Sequence, residues 1–237
     1  MDSLFYQPAV EGGVLNLTPE ESRHCIKVLR KRKGDRIDIT DGRGHLYAAR
    51  IVNSDSDKCT FEIESARFIP TSRYSIHIAV SPTKNADRME WMTEKCVELG
   101  INELTFIHCQ RTERKVLNTE RIERVALSAM KQSQRVWLPV INGLKPFREF
   151  AEVDRPGFSK YIAHVDSSNP ELLYQLAKSN GHYLVLIGPE GDFSTDELEA
   201  ATRAGFKSVS LGSARLRTET AGVAACHILN LINNEAT

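Results

Sequence analysis

The stretch YLVLIGPEGDFSTDELEA at residues 183–200 passes from an apolar run through a glycine turn into the start of a helix. A short apolar run followed at once by turn residues and a helix start is typical of a buried strand in a βα unit. Ser194 and Glu197 have the spacing of a capping box, and Gly205 can end the helix that they begin. The stretch therefore predicts a strand, a turn and a helix in immediate succession.

The same alternation extends over residues 74–237. The runs SIHIAV, LTFIH, YIAHV, YLVLI and SVSL each precede a segment with helical spacing of its apolar residues. Three helices are predicted from that spacing: one over about 86–99, one that contains 122–130, and one over about 219–234. Strands that alternate with helices predict an α/β domain with a mostly parallel sheet covered on both faces.

Residues 1–70 have a different pattern. The segments DRIDIT, HLYAARIV and CTFEIESARFI alternate apolar and polar residues and are separated by the turn sequences DGRG and NSDSD, which predicts a small antiparallel barrel. The segment TPEESRHCIKVLR predicts a helix with Thr18 as N-cap, Pro19 at the first position and Glu21 completing a capping box. FIPTSRYS is then a linker, which gives two domains, 1–70 and 74–237.

Composition limits the classes of protein that fit. The 237 residues carry no formal net charge, and the five cysteines include no C-x-x-C pair, so we expect neither a disulfide framework nor a metal site. The seven histidines show no ligand spacing. No charged-then-apolar leader begins the chain, and its apolar runs are too short to span a bilayer. We therefore expect a cytoplasmic protein without a membrane partner.

Two local tracts are basic although the whole chain is neutral. Residues 21–36 hold seven Lys or Arg against two acids, and residues 110–135 hold seven against three. Such tracts indicate a docking surface for a polyanion, although a solvated helix face explains each of them separately. The phosphate contacts that we expect in the first tract are Arg23, Lys27, Arg30, Arg32 and Lys33.

Three loops follow predicted parallel strands: HVDSS, GPEGDFS and GSARLRTETAG. Because ligands of open parallel sheets bind beyond the carboxyl ends of the strands, we expect these loops to share one pocket. Neither a Walker nor a Rossmann glycine motif is present, and Glu190 would repel a phosphate but tolerate a neutral or cationic ligand such as a sulfonium. Arg215 and Arg217 precede a helix start, where the helix dipole disfavours cations, which points to a functional reason.

The motifs IGPEGDFS and SLGSARLRTETAG together resemble the paired C-terminal motifs of the bacterial 16S rRNA (uracil-N3)-methyltransferases of the SPOUT superfamily. HCIKVLRKRKGD resembles the RNA-binding segment of that family, KNADRMEWMTEKCVELGINEL its first helical unit, and MKQSQR its Q-S-x-R element. The chain departs from the family pattern at Asp192, where a glycine is usual, and at Ser213 and Ala214, where a proline or a basic residue is more usual. The departure at Asp192 implies either an altered turn after Gly191 or weaker approach of RNA there.

The resemblance implies a fold and a reaction. It implies an N-terminal PUA-like β-barrel that binds RNA, followed by a SPOUT α/β domain with a parallel sheet and a deep trefoil knot, in a homodimer. It implies S-adenosylmethionine as methyl donor and 16S rRNA of the small ribosomal subunit as substrate, methylated at N3 of a uridine, position 1498 by family resemblance. Gln132, Ser133 and Arg135 would line the substrate side.

The same resemblance implies roles for individual residues. The residues expected to bind the donor are Gly188, Glu190, Gly191, Leu211, Gly212, Leu216 and Ala221, with the two glycines at 188 and 191 permitting close approach. Arg217 is the candidate that stabilises the uracil ring as its N3 proton leaves, although it could instead grip a phosphate or pair with Glu219. Glu190 either receives that proton or accepts backbone amides of its own loop.

Two other functions fit part of the pattern. A SPOUT enzyme that acts on another RNA, for example at a ribose hydroxyl, would share the C-terminal motifs but would have to deprotonate a much weaker acid. A non-catalytic RNA-binding assembly factor would bind RNA without binding a methyl donor, and the intact LRTETAG segment argues against it.

Overall fold

A computed structural model describes residues 3–164 and 171–234 of the chain. Contacts divide it into two compact units, one of residues 1–71 with 127–138 and one of residues 72–126 with 139–237. The domain limits 1–70 and 74–237 expected from the sequence do not include the return of residues 127–138 to the first unit. That segment begins in mid-helix, where no linker composition marks a change of unit.

The first unit contains a four-stranded sheet in the order β1-β2-β3-β4. Its strands are β1 (Leu4–Tyr6), β2 (Arg36–Thr40), β3 (His45–Asn53) and β4 (Thr60–Phe68). The β2-β3 and β3-β4 pairs are antiparallel as predicted, but β1 pairs with β2 in parallel, so the prediction of an antiparallel barrel is wrong for this pair. The long connection through a helix lets the chain return to β1 in the same direction.

The helix of the first unit is shorter than its sequence pattern suggests. Helix α1 (Pro19–Arg23) passes directly into a π-helical turn at His24–Val28. Thr18 is the N-cap, and its Oγ1 accepts a hydrogen bond from the amide of Glu21. The predicted return bond from Glu21 is not formed, because its buried carboxylate accepts a hydrogen bond from the ammonium of Lys131 instead.

The second unit is built on a six-stranded sheet in the order β10-β8-β9-β5-β6-β7, with every neighbouring pair parallel, as predicted. The strands are β5 (Ser75–Val80), β6 (Glu103–His108), β7 (Val140–Pro146), β8 (Phe158–Ala163), β9 (His182–Ile187) and β10 (Lys207–Val209). The helices are α2 (Ala86–Leu99), α3 (Thr119–Gln132), α4 (Phe147–Ala151), α5 (Leu173–Leu176), α6 (Thr195–Arg203) and α7 (Thr218–Asn234). Among the described residues, no helix is long and apolar enough to cross a membrane.

Helices α2 and α7 pack against each other through small and flexible side chains. A Cβ added at Gly222 of α7 would lie 2.6 Å from the sulfur of Met92 on α2, so a larger residue there would have to displace the Met92 side chain. The end of α7 is held by amide side chains: Asn230 accepts a hydrogen bond from the hydroxyl of Tyr74 at 2.9 Å, and Asn233 accepts one from the amide of Asn180 at 2.6 Å. These contacts fix the C-terminal end of α7 relative to the residues just before β5 and β9.

Candidate active site

The carboxyl ends of β8, β9 and β10 surround a cavity of about 930 Å³. Its walls come from Ala163 and His164, from the turn after β9, from residues 209–218, and from Arg88 and Ala221. The predicted convergence of three loops therefore holds for the parts that the structure describes, while residues 165–168 of HVDSS lie outside them. A cavity of this size is in the range of about 300–1,000 Å³ that is usual for small-molecule and cofactor sites.

One hydrogen bond joins the two C-terminal motifs. The hydroxyl of Thr218, at the start of α7, donates to the carbonyl oxygen of Gly188 at 3.0 Å, and both residues are buried. The end of β9 and the start of α7 therefore form one wall of the cavity.

Six of the seven residues expected to bind the donor line this cavity: Gly188, Glu190, Leu211, Gly212, Leu216 and Ala221. Gly191 is not among the lining residues. Its carbonyl oxygen accepts a 2.6 Å hydrogen bond from Arg111, and a Cβ at Gly191 would lie 3.3 Å from the Arg111 side chain. The glycine leaves room for Arg111, and its expected role in the approach of the donor stays a prediction.

Gly188 has a similar local reason for being glycine. A Cβ at this position would lie 3.0 Å from the ring of Phe193, which is buried. The carbonyl oxygen of Gly188 accepts the hydrogen bond from Thr218. The absence of a side chain at Gly188 therefore serves the packing of Phe193 as well as the cavity wall.

Asp192 closes the turn after β9 in a left-handed backbone conformation, with φ of 62°. Its amide donates to the carbonyl of Pro189 at 2.9 Å, and its Oδ1 accepts the amide of Phe193 at 2.8 Å. Aspartate is one of the few residues besides glycine that tolerate this conformation, because its short side chain can bond locally. The departure from the usual glycine is therefore compatible with a tight turn at this position.

Arg215 and Arg217 both line the cavity and both have exposed side chains. Across residues 3–164 and 171–234, neither guanidinium has an ion-pair partner. The pairing of Arg217 with Glu219 that we considered from the sequence is not observed, since Glu219 contacts Arg88 instead. Two guanidinium groups therefore remain available to a ligand or substrate.

Arg88 is a site residue that the sequence did not single out. Its Nη1 lies 2.9 Å from Oε1 of Glu190, and its Nε lies 3.6 Å from Oε1 of Glu219. Glu190 was expected to receive a proton or to accept backbone amides, and its observed partner is this guanidinium. A signal was present, because a cation in the first turn of α2 is unfavourable for the helix dipole.

His164 also lines the cavity, directly after β8. Its Nε2 is hydrogen-bonded to the hydroxyl of Ser208. The only sequence signal for His164 is its position directly after an apolar strand, where the other pocket-forming loops also begin.

The capping box at the start of α6 is confirmed. Ser194 Oγ accepts the amide of Glu197, and the carboxylate of Glu197 accepts the amide of Ser194 at 2.8 Å. The other oxygen of Glu197 accepts the amide of Gln110 at 2.7 Å. This buried carboxylate therefore ties the loop after β6 to the turn that forms the cavity wall.

The predicted RNA contacts lie in the first unit. The exposed members are Arg23, Lys27, Arg30, Arg32 and Lys33, while Arg135 is half-buried. Arg23 forms an exposed ion pair with Asp57 at 3.0 Å, a contact of small energetic worth that a phosphate can replace. The hydroxyl of Ser133 donates a hydrogen bond to the carbonyl of Ala129 at 2.7 Å, whereas Gln132 is exposed.

Glu11, Asp41 and His45 place three possible metal ligands close together in the first unit. The Nδ1 of His45 lies 2.8 Å from Oδ2 of Asp41, and the guanidinium of Arg43 contacts both carboxylates at 3.4 and 3.6 Å. Burial alone would raise the pKa of Asp41, but hydrogen bonds from Arg43 and His45 hold it below its usual value. A guanidinium thus already supplies positive charge to the acids of this cluster.

Comparison with known proteins gives a consistent assignment for both units. A family model described as RNA methyltransferase domain matches residues 70–230, and one described as RNA methyltransferase PUA domain matches residues 17–64. The first of these covers more than half of the chain.

Individual relatives agree over nearly the full length. Ribosomal RNA small subunit methyltransferase E of Rickettsia conorii is 25% identical over 226 residues, which are 94% of this chain and 92% of the relative. The crystal structure of a probable rRNA-methyltransferase from Porphyromonas gingivalis is 39% identical, with a TM-score of 0.93 over 99% of this chain and all of that one. A ribosomal RNA small subunit methyltransferase E from Neisseria gonorrhoeae, solved with S-adenosyl methionine, is 26% identical with a TM-score of 0.87 over 98% of both chains.

Proposed function

This chain belongs to the RNA methyltransferase domain family, and we propose that it acts as a ribosomal RNA small subunit methyltransferase E that methylates N3 of a uridine in 16S rRNA with S-adenosylmethionine as donor. One observation carries the proposal. The turn after β9 and the loop before α7 are joined through Gly188 and Thr218, and together they form a cavity with Arg217 in its wall.

The cavity fits the donor in size and in chemistry. Apolar side chains of Ile187, Val209, Leu211 and Leu216 provide surfaces against which an adenine ring can stack. The expected polar partners of the ring edge are main-chain groups near Gly212 and Ala221, which line the same cavity. When bound, S-adenosylmethionine supplies an electrophilic methyl group on a positively charged sulfur.

Arg217 stabilises the nucleophile. Uracil N3 carries a proton at neutral pH, and as that proton leaves, negative charge spreads over O2 and O4 of the ring. A guanidinium offers two parallel donors in one plane, which match two ring oxygens better than the point charge of a lysine. A preorganised donor of this kind is typically worth about 3 kcal/mol in the transition state.

Glu190 is the proposed proton acceptor. Its side chain is 52% exposed at the cavity, and Arg88 fixes its position at 2.9 Å. As the bond from N3 to the methyl carbon forms and the bond from that carbon to sulfur breaks, the N3 proton passes to this carboxylate directly or through one water. The second role open to Glu190 is structural, as the partner that orients Arg88 at the cavity wall.

The first unit is the proposed RNA-docking module. Its exposed cations Arg23, Lys27, Arg30, Arg32 and Lys33 would contact phosphates, which position the substrate without reading bases. Arg135, in the same unit, would extend that surface. Since the substrate is part of the small ribosomal subunit, we place the protein in the cytoplasm.

A homodimer and a trefoil knot belong to the same proposal. Exposed apolar residues support the dimer, since Trp91 on α2 is 44% exposed and Leu231 on α7 is 46% exposed. A second copy would cover such residues without loss of core packing. The knot is proposed from the family resemblance of the two C-terminal motifs, which meet through Thr218 and Gly188.

Mass-spectrometric mapping of 16S rRNA from cells with and without this gene tests the proposal. Loss of one 3-methyluridine on deletion is the expected result. Loss of a ribose methyl group would identify a SPOUT enzyme with another target, and an unchanged modification pattern would contradict a catalytic role on this RNA.

A further inference from the structure

Three charged side chains of the second unit form a connected group beside the cavity. Arg88 lies between Glu190 and Glu219, at 2.9 Å from the first carboxylate and 3.6 Å from the second. Arg88 and Glu190 line the cavity, whereas the Glu219 side chain is only 8% exposed. The Oε2 atom of Glu219 is buried and has no hydrogen-bond partner within the described residues.

The burial of Glu219 is not explained by its place in the helix. An acidic residue in the first turn of α7 is favoured by the helix dipole, but an exposed carboxylate would gain the same benefit. A buried acceptor without a partner costs free energy, so the burial of this carboxylate calls for an explanation. Two carboxylates that share one guanidinium leave one net negative charge in this group.

We infer that Glu190, Arg88 and Glu219 set the charge preference of the cavity, so that it favours a ligand with a cationic reacting centre over the same ligand without that charge. The inference rests on the proposed function. For this reaction, the cationic ligand is S-adenosylmethionine, and the uncharged counterpart at sulfur is the product S-adenosylhomocysteine. The attraction acts on the donor and is lost once the methyl group has left.

The other cations of the cavity do not cancel this preference. Arg215 and Arg217 line the cavity but have exposed side chains, and solvent screens exposed charges strongly. Glu219 is buried, where the same unit charge acts through a less polarisable medium. The buried carboxylate of Glu219 therefore attracts a cationic ligand in the cavity more strongly than a solvent-exposed carboxylate at the same distance would.

The preference has a kinetic consequence. An enzyme that holds its product as tightly as its donor is inhibited as product accumulates. A charge that attracts only the donor makes product binding weaker than donor binding. Product is then replaced by donor more quickly. Glu219 is in this sense a specificity-determining residue that acts through the field at the cavity, without direct contact with the reacting atoms.

Calorimetric titration of the full-length protein with S-adenosylmethionine and with S-adenosylhomocysteine tests the inference. The quantity compared is the ratio of the two dissociation constants, Kd of the product over Kd of the donor. We expect Glu219→Gln to lower this ratio about fivefold, since it removes one buried charge and keeps the shape of the side chain. Comparing ratios between variants cancels the contribution of the methyl group itself.

Glu190→Gln is the second variant, because its carboxylate is exposed and its loss should leave the fold intact. It should also lower the ratio, and it tests the charge preference by itself if Glu219→Gln does not fold. Glu199→Gln, on the exposed side of α6, makes the same change in net charge away from the cavity and should leave the ratio unchanged.

The outcomes separate the inference from the function on which it rests. If the ratio of dissociation constants in both cavity variants equals or exceeds that of the wild type, the charge preference is overturned, although donor binding itself is not. Absence of donor binding by the wild-type protein overturns the proposed function itself and the inference with it. A fall confined to Glu219→Gln and Glu190→Gln supports both.

Discussion

The hydroxyl of Thr218 donates a 3.0 Å hydrogen bond to the carbonyl oxygen of Gly188, across 30 residues of sequence. This bond joins the end of the central strand β9 to the first residue of α7, and both groups are buried. Because the loop with Arg217 comes immediately before Thr218, the bond also sets where that guanidinium enters the cavity wall.

Thr218→Val should therefore weaken both the fold and the site. Valine has nearly the same shape but cannot donate, so the carbonyl of Gly188 loses this buried partner at a cost of about 1–3 kcal/mol. We expect a lower free energy of unfolding by chemical denaturation and weaker binding of S-adenosylmethionine by calorimetry. Thr218→Ser keeps the donor and is the matched control. Equal stability and affinity in the valine variant would show that the bond does not organise the cavity.

The basic tract of the first unit is tested by the dependence of RNA binding on salt. Lys27, Arg32 and Lys33 are exposed. Each contact with a phosphate adds about 0.7–0.9 to the slope of log K against log salt, so reversing all three charges should reduce that slope by about 2–3. Reversal of Lys145, Lys178 and Lys207, three exposed lysines of the second unit, is the control. If the slope of the first variant matched that of the wild type, these residues would not contact RNA.

His77 makes the stability of the second unit dependent on pH. Burial, with a smaller contribution from the charge of Arg155, lowers the pKa of His77 to about 3. The imidazole is therefore neutral at pH 7, and its 3.4 Å approach to Glu103 is not an ion pair under those conditions. Its Nε2 is instead hydrogen-bonded to the hydroxyl of Thr105 at 2.8 Å.

The sign of the effect follows from where the proton binds. Below about pH 6.5, the unfolded chain protonates His77 while the folded chain does not, so stability falls with falling pH by roughly 1.4 kcal/mol per pH unit. His77→Gln should flatten this part of the curve in denaturation experiments between about pH 7 and pH 5, and exposed His227→Gln should not. A variant at His77 with an unchanged slope would place the acid sensitivity elsewhere.

Periodicity was enough to predict most of the second unit, because buried parallel strands and amphipathic helices have strong patterns. Residues 86–99 form α2 as predicted, and the capping box of Ser194 and Glu197 opens α6. Strand β7 was not predicted, since it contains Gly143 and Pro146. Both residues are tolerated there because β7 lies at the edge of the sheet.

The first unit shows why local patterns were insufficient elsewhere. Thr18, Pro19 and Glu21 have the spacing of a capping box, but Lys131, more than a hundred residues away, takes the carboxylate of Glu21. The return of residues 127–138 to this unit follows from such long-range contacts and from no local composition.

Site residues could be predicted where they belong to a recognisable sequence motif. Gly188, Glu190, Leu216 and their neighbours line one cavity, as the loops after parallel strands suggested. Arg88 was missed because it comes from a helix that follows another strand, and only its unfavourable place in the helix dipole marked it. The packing of Gly191 against Arg111 could not be predicted, since the two residues are distant in sequence.

Arg217 is the proposed catalytic residue of the cavity. Its guanidinium lines the cavity without an ion pair among the described residues, so its removal should leave the donor site in place. Arg217→Ala should reduce the rate of methyl transfer by about a hundredfold or more, as expected for one preorganised donor. Arg217→Lys should not restore it, because lysine lacks the planar pair of donors.

The most direct measurement compares methyl transfer to 16S rRNA with calorimetric binding of S-adenosylmethionine for wild type and Arg217→Ala. We expect a large loss of transfer in the alanine variant with a nearly unchanged dissociation constant for the donor. Equal losses of transfer and donor binding would contradict this expectation, since Arg217 would then hold the donor and would not act on the uracil ring.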